Sequence, residues 1–284
     1  MAKFTIVTAC RNAARYIEET VNSVLSQSVF LSSQCELEYL VCDGASEDGT
    51  LDLLRPYEHQ GVTLISEPDT GFYAALSKGL QRATGDYVAY LNAGDFYHPA
   101  ALDIAAECFD LPGVDWLTGY TVIYNDRSQL TRCSLPFRYR RTLFEFAAYG
   151  TLMPFVQQES TVWRRSLHAA VDFGFLENLR FAGDAYLWKC FASLSELCVV
   201  RGYIGGFRVH RGQISERRGE YLRELKSFSR PPSPIERMQC LAERFFWFMP
   251  ERIKSLAHRS TIILYDHAAQ AWRRVPYTGA YRYR

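Results

Sequence analysis

Four short apolar runs with amphipathic segments between them set the fold class of this chain. They occupy residues 4–10, 37–42, 62–66 and 87–91. Each is rich in strand-forming residues and too short for a stable helix. Between them, apolar residues recur at helical spacing, as at Ile17, Val21, Val24 and Leu25, and helices are expected from Thr50 and over 72–82 and 99–109. Residues 114–124 suit one long strand or a bent pair. Strand and helix in alternation predict an α/β fold: a mostly parallel, Rossmann-like sheet with right-handed crossovers and flanking helices.

Such sheets bind ligands at the carboxyl ends of their strands. The stretch 83–99 has that form. Thr84, Gly85 and Asp86 make a turn, 87–91 a buried strand, and Asn92-Ala93-Gly94-Asp95 follows at the strand end, before Pro99 opens a helix. A carboxylate there can hold a divalent cation, and the cation a diphosphate. Asp43 ends the second strand in the same way, so two acids converge on one crevice. An aspartate facing a base can accept the imide N–H of uracil or N1–H of guanine. The loop 44–49 is spaced like a phosphate loop, but Thr50 stands where a Walker loop needs Lys. No Gly-x-Gly-x-x-Gly follows the first strand. P-loop kinases and ordinary dehydrogenases are therefore disfavoured.

After about residue 125 the alternation fails. A basic cluster at 138–141 precedes 157–165, a strand running into a helix start. Asp184 opens a helix over 183–192, where an acid suits the dipole. A glycine-interrupted strand at 199–207 leads to a polar loop at 210–215. Residues 231–234 suit a linker, and 235–284 are rich in aromatics and arginine, predicting a helical C-terminal extension. The expected division is 1–125, 126–220 and 231–284. Lys and Arg number 32 against 31 Asp and Glu, which argues against bulk nucleic-acid binding. The eight cysteines form no Cys-x-x-Cys pair, against a zinc ribbon or redox motif. The first residues lack a signal-peptide core, and no apolar run is long enough to span a bilayer. A reduced, cytoplasmic protein is expected.

Three blocks stand in order within 1–125: Asp43-Gly-Ala-Ser-Glu-Asp-Gly-Thr50; Ser66-Glu-Pro-Asp-Thr-Gly-Phe-Tyr73 with Lys78-Gly79; and Gly85-Asp-Tyr-Val-Ala-Tyr-Leu-Asn-Ala-Gly-Asp95. They resemble the signature blocks of family 2 glycosyltransferases, most similar to the bacterial exopolysaccharide and colanic-acid type. The resemblance continues more weakly through Gln158-Glu-Ser160, Gly183 to Trp188 and His210 to Ser215. It implies a GT-A fold, a nucleotide-sugar donor (UDP-sugar favoured, GDP-sugar second), a divalent cation (Mg²⁺ or Mn²⁺) and inversion at the anomeric carbon. By position it implies that Thr8 and Arg11 line the nucleotide and Asp43 meets the base. Gly71 and Lys78 wall the nucleoside, while Asn92 to Asp95 stand at the metal motif. Asp184 matches the general base, with Glu159 the alternative, and His210 falls in a loop closing over the diphosphate, as a metal ligand in some relatives. The acceptor implied is a saccharide or a polyprenyl-linked saccharide.

The chain departs from the family pattern at Gly94, where many relatives have a second Asp, and at Ala74 and Ser77, which replace an Asp and an Asn. One carboxylate can still serve, since Mg²⁺ takes one or two plus phosphates and water. Two rivals stand beside the transferase: a sugar nucleotidyltransferase, and a degenerate donor-binding homologue. In the extension, residues 238–249 set aromatics beside Arg252, Lys254, His258 and Arg259. That composition suits a helix on the cytoplasmic face of the membrane. It equally suits a helix packed on the catalytic domain or on a second subunit.

Overall fold

The structure, a computed structural model, describes residues 1–250, 253–254 and 260–277. Arg252, His258, Arg259 and residues 281–284 of the basic tail lie outside the described residues. The strands, in chain order, are β1 (Ala2–Cys10), β2 (Cys35–Asp43), β3 (Val62–Ser66), β4 (Tyr87–Tyr90), β5 (Phe96–Tyr97), β6 (Trp116–Thr118) and β7 (Thr121–Tyr124). They continue with β8 (Leu130–Ser134), β9 (Thr161–Arg164), β10 (Leu197–Val199), β11 (Gly205–Arg208), β12 (Thr261–Asp266) and β13 (Ala271–Pro276).

Seven strands form the central sheet in the order β10-β6-β9-β4-β1-β2-β3. β4, β1, β2 and β3 run parallel, β9 is antiparallel to β4 and β6, and β10 is parallel to β6. β1 and β2 are buried on both faces near their ends, which is why they read as continuous apolar runs. Helices Ile17–Leu25 and Phe72–Arg82 each turn an apolar side to the core. Beyond β4, the core is an aromatic cluster: Trp163 lies 5.9 Å from Trp188 and 5.2 Å from Phe191, ring centre to ring centre.

The register aligns Cys10 with Asp43 and Asp43 with Ser66. The ends of β1, β2 and β3 therefore share one line, and the turn after β4 joins that edge. Strand order reverses between β1 and β4, the switch point where an α/β sheet opens a crevice. A second sheet, β5-β11-β7-β8, flanks it.

The region 114–124 is the bent pair: β6 stays in the central sheet and β7 joins the second. The expected strand at 199–207 is instead two, because β10 and β11 belong to different sheets. The segment expected as a linker is a helix start: Ser233 accepts from Glu236 N–H, Glu236 reaches back to Ser233 N–H, and Pro234 is the first helical residue. The extension is helical over Pro234–Phe248, then continues into a β12–β13 hairpin that its composition did not reveal. The hairpin leans on the end of β10, with Arg201 N–H donating to Ile263 O at 2.7 Å. The basic cluster is structural. Arg138 and Arg140 pair with buried Glu243 at 2.5 and 2.6 Å, and Arg141 donates to the carbonyls of Ala192 and Ser193 at a helix end.

Candidate active site

A cleft of about 840 Å³ opens at the switch point. Its walls include Arg11, Gly71, Asn92, Asp95, Glu159, Asp184 and His210, so seven of the ten residues expected from sequence come together. Three do not line it. Thr8 is fully buried, its hydroxyl 3.0 Å from Tyr39 Oη. Lys78 pairs with Glu67 at 2.6 Å outside the cleft. Asp43 sits one layer behind the wall, accepting from Ser46 N–H at 3.0 Å, Ser46 Oγ at 2.5 Å and Ser66 Oγ at 2.8 Å. Cys10, which does line the cleft, is 3.7 Å from the Asp43 carboxyl.

Asp95 is buried at the sheet edge. Its Oδ1 accepts from Arg208 N–H at 2.9 Å and its Oδ2 from Gln158 Nε2 at 2.8 Å. Burial raises its pKa to about 7, against the lowering effect of those donors. Glu159, fully buried close by, is pushed well above the carboxylate range by burial and by the Asp95 charge. Two carboxyls in one dry site cannot easily both ionise.

Arg208 holds this corner together. Its Nε donates to Gly94 O at 2.7 Å, one terminal nitrogen to Ser128 Oγ at 2.8 Å, and the other to Glu19. Its guanidinium lies over the Tyr16 ring at 4.6 Å. Gly94 has φ of +114°, a backbone shape that side-chain-bearing residues rarely adopt. The departure from the family pattern at Gly94 therefore comes with a turn built for glycine. The other two departures stay outside the cleft wall, and Ser77 donates to Phe173 O at 3.0 Å.

Asp184 faces the cleft from the first turn of the helix Gly183–Leu194. It accepts from Ala185 N–H at 2.7 Å, and its own N–H donates to Tyr73 Oη at 3.2 Å. Gly183 permits this, since a Cβ there would meet the Tyr73 ring at 2.4 Å. Burial raises Asp184 to about pKa 6, moderated by Ala185 N–H and Tyr73 and raised further by Glu224. Glu224, on the helix Arg218–Leu225, accepts the N–H groups of Arg180, Phe181 and Ala182 at 2.6–2.7 Å. It satisfies the donors that lead into the Asp184 helix. The rim adds Arg15, Arg211 and Arg218 to Arg11, an electropositive setting for phosphates. His210 is held in its loop, its N–H on Gln213 Oε1 at 2.8 Å.

The fit to a cation can be tested on the oxygens present. Asn92 Oδ1 and Gln158 Oε1 are buried without hydrogen-bond partners, on residues that line the cleft with Asp95. A hard divalent cation takes such carboxylate and amide oxygens. No group of three or more His, Cys, Asp or Glu poised for a metal occurs among the described residues. The set therefore fits a cation held chiefly by Asp95 and amide oxygens, with the remaining positions left to a ligand.

Arg208 and Glu224 were not apparent from sequence, and Tyr73 and Gln158 were only parts of motif blocks. Arg208 carried one weak signal, a charge ending a glycine-rich strand.

The chain belongs to glycosyl transferase family 2, whose family model matches residues 5–171. It is 33% identical over 132 residues to a Bacillus subtilis protein named for teichuronic acid biosynthesis, TuaG, covering 45% of this chain and 50% of that protein. It is 30% identical over 100 residues to the chondroitin synthase of Escherichia coli, covering 34% of this chain and 14% of that one. The chain thus spans half or less of the length of these curated relatives. Among solved structures, Staphylococcus aureus TarS 1–349 in complex with UDP-GlcNAc aligns with a TM-score of 0.61 and 19% identity, over 90% of this chain and 76% of that one. The mannosyltransferase PcManGT of Pyrobaculum calidifontis, in complex with GDP-Man and Mn2+, aligns at 0.61 and 20% identity, over 86% and 69%. These likenesses establish the GT-A fold.

Proposed function

We propose that this chain is an inverting, cation-dependent glycosyltransferase. It moves a sugar from a nucleotide-sugar donor to a hydroxyl of a saccharide, or of a polyprenyl-linked saccharide, during synthesis of a bacterial surface polysaccharide. The observation that carries this reading is the presence of Asp95 and Asp184 on the walls of one cleft. One is at the strand-end edge that suits a diphosphate, and the other at a helix start reached by Tyr73. A cation there would be held by Asp95 with Asn92 and Gln158, His210 being a further candidate. Its chemistry is stabilisation of the charge left on the departing diphosphate.

The protein's own groups do the rest. The nucleoside lies against Arg11 and the 69–71 turn. Asp43 orders that edge through Ser46 and Ser66 from behind the wall. The arginine rim receives the phosphates. Asp184 accepts the acceptor hydroxyl's proton while that oxygen forms its bond to the anomeric carbon. The bond from that carbon to the diphosphate oxygen breaks, and the nucleoside diphosphate leaves. Attack from the opposite face inverts the centre. Glu159, held protonated, is the less available base. UDP-sugars are favoured and GDP-sugars come second, in line with the donors in the two structural neighbours.

The test is a panel of UDP-, GDP- and dTDP-sugars with and without Mn²⁺, read as melting temperature. The matching donor raises it only with the cation, since a ligand binding the folded state alone stabilises it. Transfer to an acceptor, with nucleoside diphosphate released, completes the assignment. Pyrophosphate release would point to nucleotidyl transfer, and binding without turnover to a degenerate homologue.

A further inference from the structure

The helix Pro234–Phe248 has two unlike sides. Cys240 and Glu243 are buried against the body of the protein, and the Trp247 ring packs 5.4 Å from that of Tyr139. On the other side Ile235, Met238, Leu241, Phe245 and Phe248 are 60–69% exposed. Their spacing of three and four places them in one stripe. The helix's two acids are both engaged away from it: Glu243 by Arg138 and Arg140, Glu236 by Arg230. Arg237 and Arg244 are exposed and border the stripe.

We infer that this stripe docks on an anionic lipid bilayer. Apolar side chains bordered by cations, with no exposed acid in the helix, are what an interfacial helix presents to such a surface. A second copy fits poorly. In a two-fold contact the same patch meets itself, so Arg237 and Arg244 would face each other with no acid to pair them. The helix is 15 residues long, and none among the described residues is long and apolar enough to cross a membrane. It would lie on the bilayer rather than through it. Arg244 donates to Leu152 O at 3.5 Å, and the 37% exposed Phe155 three residues on lines the cleft. Arg244, at the border of the stripe, thus touches the segment whose Phe155 lines the cleft, so a bilayer under the stripe would leave a lipid-carried acceptor a short way to go. Only that use rests on the transferase reading; the bilayer contact stands by itself.

The experiment is sedimentation of the full chain with vesicles of phosphatidylcholine, with and without phosphatidylglycerol. The wild type pellets with the anionic vesicles, and salt weakens the binding. Leu241→Glu with Phe245→Glu lowers the bound fraction by about tenfold or more, because two large side chains no longer enter the interface. Its melting temperature and its transfer to a water-soluble acceptor stay as in the wild type. Arg237→Gln with Arg244→Gln lowers binding to anionic vesicles roughly fivefold per charge and leaves neutral ones unaffected. Three outcomes overturn the inference: wild type left in the supernatant at low salt, the Glu variant pelleting like wild type, or a wild-type dimer that the Glu variant splits, with no vesicle binding. Loss of transfer with vesicle binding intact would count against the transferase reading alone.

Discussion

The backbone N–H of Arg208 meets Oδ1 of Asp95 at 2.9 Å, although 113 residues separate the two in the chain. The same arginine's Nε takes Gly94 O at 2.7 Å. One residue thus fixes both the turn and the direction of its carboxylate. Arg208→Met should lower stability by about 2–3 kcal/mol, since a buried cation and three side-chain hydrogen bonds are lost while half-exposed Glu19 returns to water. Urea unfolding measures it. A loss under 0.5 kcal/mol would mean the corner does not depend on Arg208.

Asp95→Ala should abolish cation-dependent thermal stabilisation by the donor and lower kcat/KM by about 10²–10³, the usual loss when charge stabilisation at the leaving group is removed. The melting temperature without donor should change little, because relief from burying a carboxyl is offset by the Arg208 and Gln158 donors left without an acceptor. Full activity in this variant would remove Asp95 from the site.

The pH profile separates the two candidate bases. A base works deprotonated, so kcat/KM should rise through about pH 6, the raised value of Asp184, and level above it. Asp184→Asn should lose about 10²–10⁴ in rate, and Glu159→Gln far less, because burial and Asp95 hold Glu159 protonated. Stability supplies a second reading. The folded value lies above the ordinary 3.8, so the folded state holds the extra proton and stability falls as pH rises from about 4 to 6. Asp184→Asn should therefore raise the melting temperature by about 2–6 °C at pH 8 and leave it unchanged at pH 4.

Glu224 positions Asp184 without facing substrate. Glu224→Gln should move the acid limb of kcat/KM below pH 6, since the Glu224 charge helps to raise Asp184. Glu224→Ala, which orphans three N–H groups, should cost about 1–3 kcal/mol. An unmoved acid limb in the Gln variant would separate Glu224 from the base.

Placing at residue 94 the second acid that the family resemblance suggests should not help. Gly94→Asp places a side chain at φ +114° and should destabilise by about 1–2 kcal/mol with no tighter cation dependence. Calorimetry with and without Mn²⁺ decides it, and a lower Mn²⁺ requirement in the variant would contradict the prediction.

The parts of the site legible in the sequence are those that local pattern carries. Asn92 and Asp95 follow a buried strand and Asp184 opens a helix, so their elements place them. Lys78 fails the same logic for a geometric reason. The helix Phe72–Arg82 presents its first turn to the cleft, and Lys78 stands six residues, roughly 9 Å, further along it. Thr8 lies within β1, where its hydroxyl turns to Tyr39 in the neighbouring strand. The β12–β13 hairpin escaped notice because aromatic and arginine-rich composition fits helix and strand alike.

The sequence by itself determined the order of the first four strands and the helices between them, the sheet edge that bears the aspartates and the start of the helix that bears Asp184. Periodicity and turn chemistry act over a few residues, so they can be read along the chain. Only the tertiary structure decided that Arg208 and Gln158 share Asp95, that Glu224 caps the approach to Asp184, that two carboxyls are buried together, and that one helix face is left in solvent. Those depend on which distant segments pack against each other and exclude water, and hydrogen bonds spanning 42 to 113 residues have no local signature.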